Sequence, residues 1–184
     1  MHVTILTGPK FSGKTTRLLS WCTEKKGSVC GFVTATHLRG PAGGLKELLD
    51  LNTLEIFPFE TSGPSDDATI QVGTKPFFLL KSGFDQADGI ISRELNSPIS
   101  NSPTKCIVVD EIGTLEVSDS SGHHDALLGL LSQDGGEFRW RGNVLLVVRE
   151  GLVEAVMSKY LTGLETRIIT IDELQTIEKL DYYK

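Results

Sequence analysis

Long apolar runs are missing from this 184-residue chain. None approaches the roughly 18 to 20 residues of a membrane span, and the start, MHVTILTG, has no basic stretch ahead of a long apolar segment. Positive charge is short as well: 18 Lys and Arg stand against 24 Asp and Glu, the net charge is -6, and the basic residues are scattered rather than banked together. Without a basic field, neither nucleic acid nor an anionic membrane is expected as the main partner. Cysteine is scarce. Cys22, Cys30 and Cys106 are odd in number, lack C-x-x-C spacing and lie in or beside apolar runs, so buried free thiols in a reducing compartment are expected rather than disulfides or a zinc site. The chain is accordingly expected to be cytoplasmic. It has no internal repeat and no low-complexity tract. A hydrophobic content of 39% over this length suits one core and is short for two, so residues 1–184 are expected to form a single domain.

What the chain does contain is a succession of apolar runs and amphipathic stretches. HVTILT, residues 2–7, is a β-branched run of the kind a parallel sheet buries. KTTRLLSWCTEKKG, residues 14–27, sets Thr15, Leu18, Leu19 and Cys22 at helical spacing, carries Lys25 and Lys26 in its last turn and stops at Gly27. SVCGFVTAT, residues 28–36, reads as a second strand. In GGLKELLDLNTLEIFPFE, residues 43–60, the turn chemistry from Asp50 to Thr53 suits a hairpin better than a helix, and a hairpin or loop insertion is expected over residues 40–75. TSGPSDDAT, residues 61–69, is expected to be an exposed loop, and FDQADGIISRELNS, residues 84–97, lines up Phe84, Ala87, Ile91 and Leu95 as a helix. A polar loop, SPISNSPT, follows. KCIVVDE, NVLLVV and ETRIITID then read as strands, with HHDALLGLLSQ and GLVEAVMSKY as helices between them. Strands alternating with helices predict an α/β fold with a mainly parallel sheet covered on both faces.

Between the first strand and the first helix stands GPKFSGKT, residues 8–15, which fits G-x-x-x-x-G-K-[ST] with no mismatch. A triphosphate is a dense anion, and backbone N–H groups curled at the positive end of a helix bind it without needing side chains. Gly8 and Gly13 allow the tight turn and close approach; Pro9, Lys10, Phe11 and Ser12 form the curl between them, and Thr16 completes the expected nucleotide-binding set. Lys14 would reach the β- and γ-phosphates as a point charge. The Thr15 hydroxyl would complete the shell of a bridging Mg²⁺. An aromatic residue at position 11 is compatible with this cradle provided that its backbone needs no positive φ, and its ring is then expected to cap the loop or pack on a neighbouring segment.

A second constellation is CIVVDEIGTLE, residues 106–116. An apolar strand that ends in an acid delivers that acid to the carboxyl edge of the sheet, where the phosphate loop also sits. Asp110 is expected there as a ligand of the Mg²⁺ shell. Glu111, next to it, could orient and deprotonate a water for in-line attack on a γ-phosphate.

GPKFSGKTTRLL, then CGFVTATHLRGPAGG leading into LLDLNTLE, then VVDEIGTLE, together resemble the small P-loop nucleoside-triphosphatase family of the cancer-related and thermostable type. The resemblance runs over most of the chain and is most specific in VVDEIG followed by Thr-Leu-Glu. It implies a RecA-like three-layer α/β/α core, Mg²⁺, and slow hydrolysis of ATP, GTP and other triphosphates with weak base preference. By motif it makes Lys14 and Thr15 ligands of phosphate and metal, Asp110 a metal ligand and Glu111 catalytic. Two departures stand out. Phe11 occupies a position where the family more often has glycine, and Arg149 follows NVLLVV where a histidine is expected.

The remaining polar residues carry weaker patterns. His123 and His124, adjacent and followed by Asp125, are expected to open a helix along its solvated edge rather than bind a metal. Arg39, Arg93, Arg139, Arg141 and Arg149 are candidates to neutralise charge at a γ-phosphate, Arg141 and Arg149 being the ones worth testing; a site lacking such a group is slow unless an activating protein supplies it. A nucleoside triphosphatase is the preferred reading. A kinase would need a base for its acceptor and an arginine-rich lid, which this chain does not show. A nucleotide-dependent adapter would have residues 61–69 or 117–125 move with nucleotide state.

Overall fold

A strand buried on both faces needs apolar side chains at successive positions, and VTIL, forming β1 (Val3–Leu6), is buried at all of them. The computed structural model describes residues 1–36, 38, 44–66, 69–72, 77–99 and 101–174. After β1 come α1 (Lys14–Glu24), β2 (Val29–Thr36), β3 (Lys46–Asp50), β4 (Ile56–Pro58), the short β5 (Glu60–Thr61), β6 (Thr69–Val72), β7 (Phe77–Leu80) and α2 (Lys81–Asn96). The second half holds β8 (Cys106–Ile112), a π-helical turn (Leu115–Asp119), α3 (His124–Leu131), the two-residue strands β9 (Gln133–Asp134) and β10 (Glu137–Phe138), β11 (Asn143–Val148), α4 (Val153–Tyr160), β12 (Thr166–Ile169) and α5 (Ile171–Leu174).

Seven of these strands make the main sheet, in the order β12-β1-β11-β8-β2-β3-β4. The first five are mutually parallel. β3 and β4 extend the sheet as antiparallel neighbours. Because strand side chains alternate between faces, β8 sends Ile107 and Val109 to one side and Cys106 and Val108 to the other. On the first side they meet Phe84, Ala87 and Ile91 of α2, Leu127 and Leu130 of α3 and Val156 of α4. On the second they meet Leu18 and Trp21 of α1 and Ile171 and Leu174 of α5. The result is three layers, with a closed hydrophobic contact on each face of the sheet. Each fully buried Ile or Leu contributes roughly 1.5–3 kcal/mol of burial. Gly31 of β2 allows β2 and β8 to pack closely: a Cβ there would lie 2.2 Å from the Val108 carbonyl oxygen.

Three expectations are corrected. The flanks of the expected loop at residues 61–69 are strands: β5 and β6 both pair with β7, which the periodicity did not mark, in a separate three-stranded sheet. Partners distant in sequence decide such short strands, and no local pattern names them. The last strand ends at Ile169, because Thr170 accepts the start of α5. His123, expected on a solvated edge, is fully buried, its ring 5.0 Å from Phe32 and 4.8 Å from Phe84 by centroids. Its backbone N–H donates to the buried Glu116 carboxylate at 3.0 Å, and its ring Nδ1 lies 3.4 Å from Asp88 Oδ1. Among the described residues no helix is long and apolar enough to cross a membrane.

Cys22, Cys30 and Cys106 are free and buried. Burial pushes the Cys106 thiol up to about 12 and raises those of Cys22 and Cys30 as well, so near neutral pH the reactive thiolate is suppressed at all of them. A disulfide-exchange reagent at pH 8 is therefore expected to leave the native protein unlabelled on a timescale of minutes and to label all three in denaturant, as followed by mass spectrometry. Rapid labelling of the native chain would show that one of these core positions opens readily.

Candidate active site

At the end of β1 the chain leaves the sheet with the Thr7 N–H donating to the Ile169 carbonyl at 3.0 Å. Gly8 takes φ 148° and Gly13, at the head of α1, takes φ 80°, both in the left-handed half that favours glycine. The first turn of α1 has no side-chain cap and no acidic residue. Its positive end is thereby left to an anion. Lys14 Nζ lies across the loop, donating to the carbonyls of Gly8 and Pro9 at 2.6 Å each and facing Ser12 Oγ at 3.5 Å. Pro9, Lys10, Ser12 and Gly13 are exposed around it, Thr15 is half-buried and Thr16 exposed.

The condition set on Phe11 is not met. Its φ is 64°, a region that costs a non-glycine residue about 1–2 kcal/mol because Cβ crowds the following carbonyl. The curl needs a left-handed residue there to reverse the loop. Nor does the ring cap the loop: it is 93% exposed, with Lys10 Nζ 5.2 Å from its centroid.

The acid strand β8 is separated from β1 by β11. Two strand spacings put the two about 10 Å apart, enough to seat phosphates and an ion between them. Register sets the height: Leu6 opposes Val147, Val109 opposes Leu146 and Ile112 opposes Val148. Asp110 and Glu111 together thus face the single residue Val147, as in a β-bulge, level with the last residue of β1. The bulge puts Glu111 at φ 67°, with its N–H donating to Asp110 Oδ1 at 2.9 Å, and turns its side chain out of the strand.

Asp110 is only 2% exposed. It accepts from the Thr34 N–H at 2.9 Å and the Thr34 hydroxyl at 3.2 Å. Burial first, and the adjoining Glu111 carboxylate second, hold its carboxyl well above the usual carboxylate range. Among the described residues its donors are all neutral. A buried carboxylate with that surrounding is stabilised by a hard cation, and oxygen donors are what Mg²⁺ takes. The described residues contain no group of three or more His, Cys, Asp or Glu arranged to hold a metal.

Two residues to which the sequence assigned no role complete the site. Thr34 is one; the other is Lys46, the first residue of β3, opposite Thr36 at the carboxyl end of β2. Its ammonium is paired with both carboxylate oxygens of Glu111. Thr15, Thr16, Thr34, Thr36, Lys46 and Glu111 line one cleft of about 210 Å³, with Leu19 and Ala35 at its apolar side. The only sequence signals were a threonine inside an apolar strand and a lysine opening a hairpin, neither of which names a partner.

The arginines divide by edge. Arg141 precedes β11 and so lies at the amino edge of the parallel strands, away from the loop; as a candidate charge stabiliser it is corrected. Arg139 precedes β11 too. Arg93 is engaged with Asp50 and Glu94, and Asp50 opposes Phe32, well back from the carboxyl end of β2. Arg149 emerges at the carboxyl edge, exposed, with its N–H donating to the Ile112 carbonyl at 3.1 Å. Arg39 lies outside the described residues.

The segment after β8 is braced. Glu116 accepts from the Gly113 N–H at 2.8 Å and the His123 N–H. Lys159 Nζ donates to the carbonyls of Glu116 and Val117 and to Ser120 Oγ, and the Tyr160 hydroxyl donates to the Glu116 carbonyl at 2.7 Å.

No known family model matches the sequence, and no curated protein does. Two solved structures are similar over nearly the whole chain. The solution structure of a human cancer-related nucleoside triphosphatase is 23% identical, with a TM-score of 0.66, covering 96% of this chain and 95% of that one. The crystal structure of THEP1 from the hyperthermophile Aquifex aeolicus is 19% identical, with a TM-score of 0.62 and 96% of each chain covered. At these identities the likeness shows the fold alone, a mainly parallel α/β architecture shared with those two proteins over nearly the whole chain.

Phe11→Gly is expected to raise the thermal midpoint by a few degrees at most, since about 1–2 kcal/mol of backbone strain is relieved against roughly 0.5–1 kcal/mol for ordering a glycine. Calorimetry checks this. A fall of several degrees would mean that the ring is held by contacts of its own.

Proposed function

We propose that this chain is a Mg²⁺-dependent nucleoside triphosphatase that converts ATP, GTP and other nucleoside triphosphates to the diphosphate and phosphate, with weak selectivity for the base. The observation that carries the reading is the shared cleft: the first turn of the phosphate-loop helix, through Thr15 and Thr16, faces Glu111 across one open space. The human protein of the same fold is described as a nucleoside triphosphatase, in keeping with it. Residues 1–184 act in this reading as a single domain in the cytoplasm, with the nucleotide, rather than nucleic acid or a membrane, as partner.

The residues then take the following parts. The curl from Gly8 to Gly13, continued by Thr16, holds the phosphate chain by its backbone, and Lys14 turns its ammonium from the Gly8 and Pro9 carbonyls to the β- and γ-oxygens. The Thr15 hydroxyl and Asp110 would hold Mg²⁺, which when bound neutralises charge on the β- and γ-phosphates. Glu111 takes a proton from a water whose oxygen attacks the γ-phosphorus; that P–O bond forms as the bond to the β,γ-bridging oxygen breaks, and the diphosphate leaves. A kinase is the weaker alternative, because of the five arginines considered only Arg149 is placed at this edge among the described residues. An adapter is weaker too, since residues 117–125 are tied to α4 through Lys159 and Tyr160.

Lys14→Ala is expected to lose tight Mg²⁺–ATP binding by titration calorimetry; undiminished affinity would remove the assignment. Glu111→Gln is expected to bind within a few-fold of wild type and to lose about 10²–10⁴-fold in kcat, the usual worth of a positioned base. Turnover at the wild-type rate would place water activation elsewhere. A panel of triphosphates assayed for phosphate release, with and without hydroxylated acceptors, separates hydrolysis from transfer.

A further inference from the structure

Hydrolysis of a γ-phosphate develops charge on its equatorial oxygens, and Lys14 addresses that charge from the phosphate-loop side only. A second cation is needed on the far side, and arginine usually supplies it. Among the described arginines, Arg17 is paired with Asp172 and Arg93 with Asp50 and Glu94, Arg139 and Arg141 precede β11, Arg167 is exposed on the edge strand β12 and Arg149 stands in solvent at the rim, while a lysine forms part of the cleft wall. We propose, resting on the triphosphatase reading above, that Lys46 is the built-in charge stabiliser of this site, exchanging one Glu111 oxygen for a γ-phosphoryl oxygen when a nucleoside triphosphate binds.

The base of that side chain is fixed. The Lys46 N–H donates to Glu60 Oε2 at 3.1 Å, and its carbonyl accepts from the Phe59 N–H at 3.1 Å. A rigid backbone carrying a four-carbon stem lets the ammonium move a few ångströms without disturbing the sheet. Its side chain is 26% exposed and that of Glu111 is 38%, so the pair is screened and contributes little to folding. Its position is more informative than its strength. Lys46 occupies both oxygens of the carboxylate that would receive the water proton, and both residues line the cleft with Thr15 and Thr16. A γ-phosphoryl group, with its concentrated negative charge, competes for the ammonium and frees a Glu111 lone pair for water. A diphosphate brings no group to that place. Release of the base is thereby tied to the phosphoryl group it is to act on, and the same movement neutralises the transition state.

The test compares Lys46→Met, Lys46→Arg and wild type in steady-state phosphate release and in ATP and ADP titrations. Lys46→Met is expected to lose about 10²-fold in kcat, the loss typical of one charge-stabilising donor, with KM for ATP rising in step with the ATP dissociation constant. It is also expected to lose affinity for ATP but not for ADP. Lys46→Arg, which keeps the charge, is expected to recover at least a tenth of the wild-type kcat. Turnover of Lys46→Met within twofold of wild type overturns the proposal, as does an equal loss of ATP and ADP affinity, which a structural role alone would produce. Should Lys46→Met fail to fold, Lys46→Ala with added ethylammonium ion gives the same decision: rate recovery that saturates with the ion supports the role, and none overturns it. If Glu111→Gln and Lys14→Ala are themselves indistinguishable from wild type, it is the triphosphatase reading that fails; if they are impaired while Lys46→Met is not, only Lys46 is misassigned.

Discussion

Parallel alignment of β1, β11, β8 and β2 is the constraint from which the site follows. Strands that run the same way finish at the same edge, so whatever follows β1, ends β8 and ends β2 is brought together without any contact between those segments in sequence. Thr15 and Thr16 at the head of α1, Glu111 at the end of β8 and the Thr34–Ala35–Thr36 run meet in one cleft for this reason. The order of the strands matters equally. With β11 between loop strand and acid strand, the acids stand about two strand spacings from the loop; side by side, they would leave little width between them.

Backbone strain is concentrated around this edge. Four non-glycine residues among those described have positive φ, and two of them, Phe11 and Glu111, belong to the loop and the acid pair. Each departs from an unstrained conformation to aim a group: at Phe11 the loop reverses, and at Glu111 the bulge turns a carboxylate into the cleft. Such conformations persist where the surroundings hold them. Around Glu111 those surroundings are explicit, in the Asp110–Thr34 hydrogen bonds on one side and the Glu116 brace on the other.

Local patterns reported most of the elements. Phe84, Ala87 and Ile91 are buried on one face of α2, as their spacing demanded, and the apolar runs of β1, β8 and β11 lie in the middle of the sheet. Patterns failed where pairing is remote or where a side chain is turned by a partner. The β5-β7-β6 sheet depends on strands of two to four residues finding each other. His123 reads as a helix-opening polar residue, yet its ring is buried between Phe32 and Phe84, which are distant in sequence.

By itself the sequence determined the glycine-bearing turn between strand and helix, the acid pair and the α/β class, because each is written in neighbouring residues: a glycine spacing, an apolar run ending in acids, strands alternating with helices. Only the tertiary structure decided that Lys46 faces Glu111, sixty-five positions away, that Arg141 belongs to the opposite edge, and that Thr34 serves Asp110. Those relations are set by strand order, strand direction and register, which arise from packing two faces of a sheet at once, and no short stretch of chain encodes them.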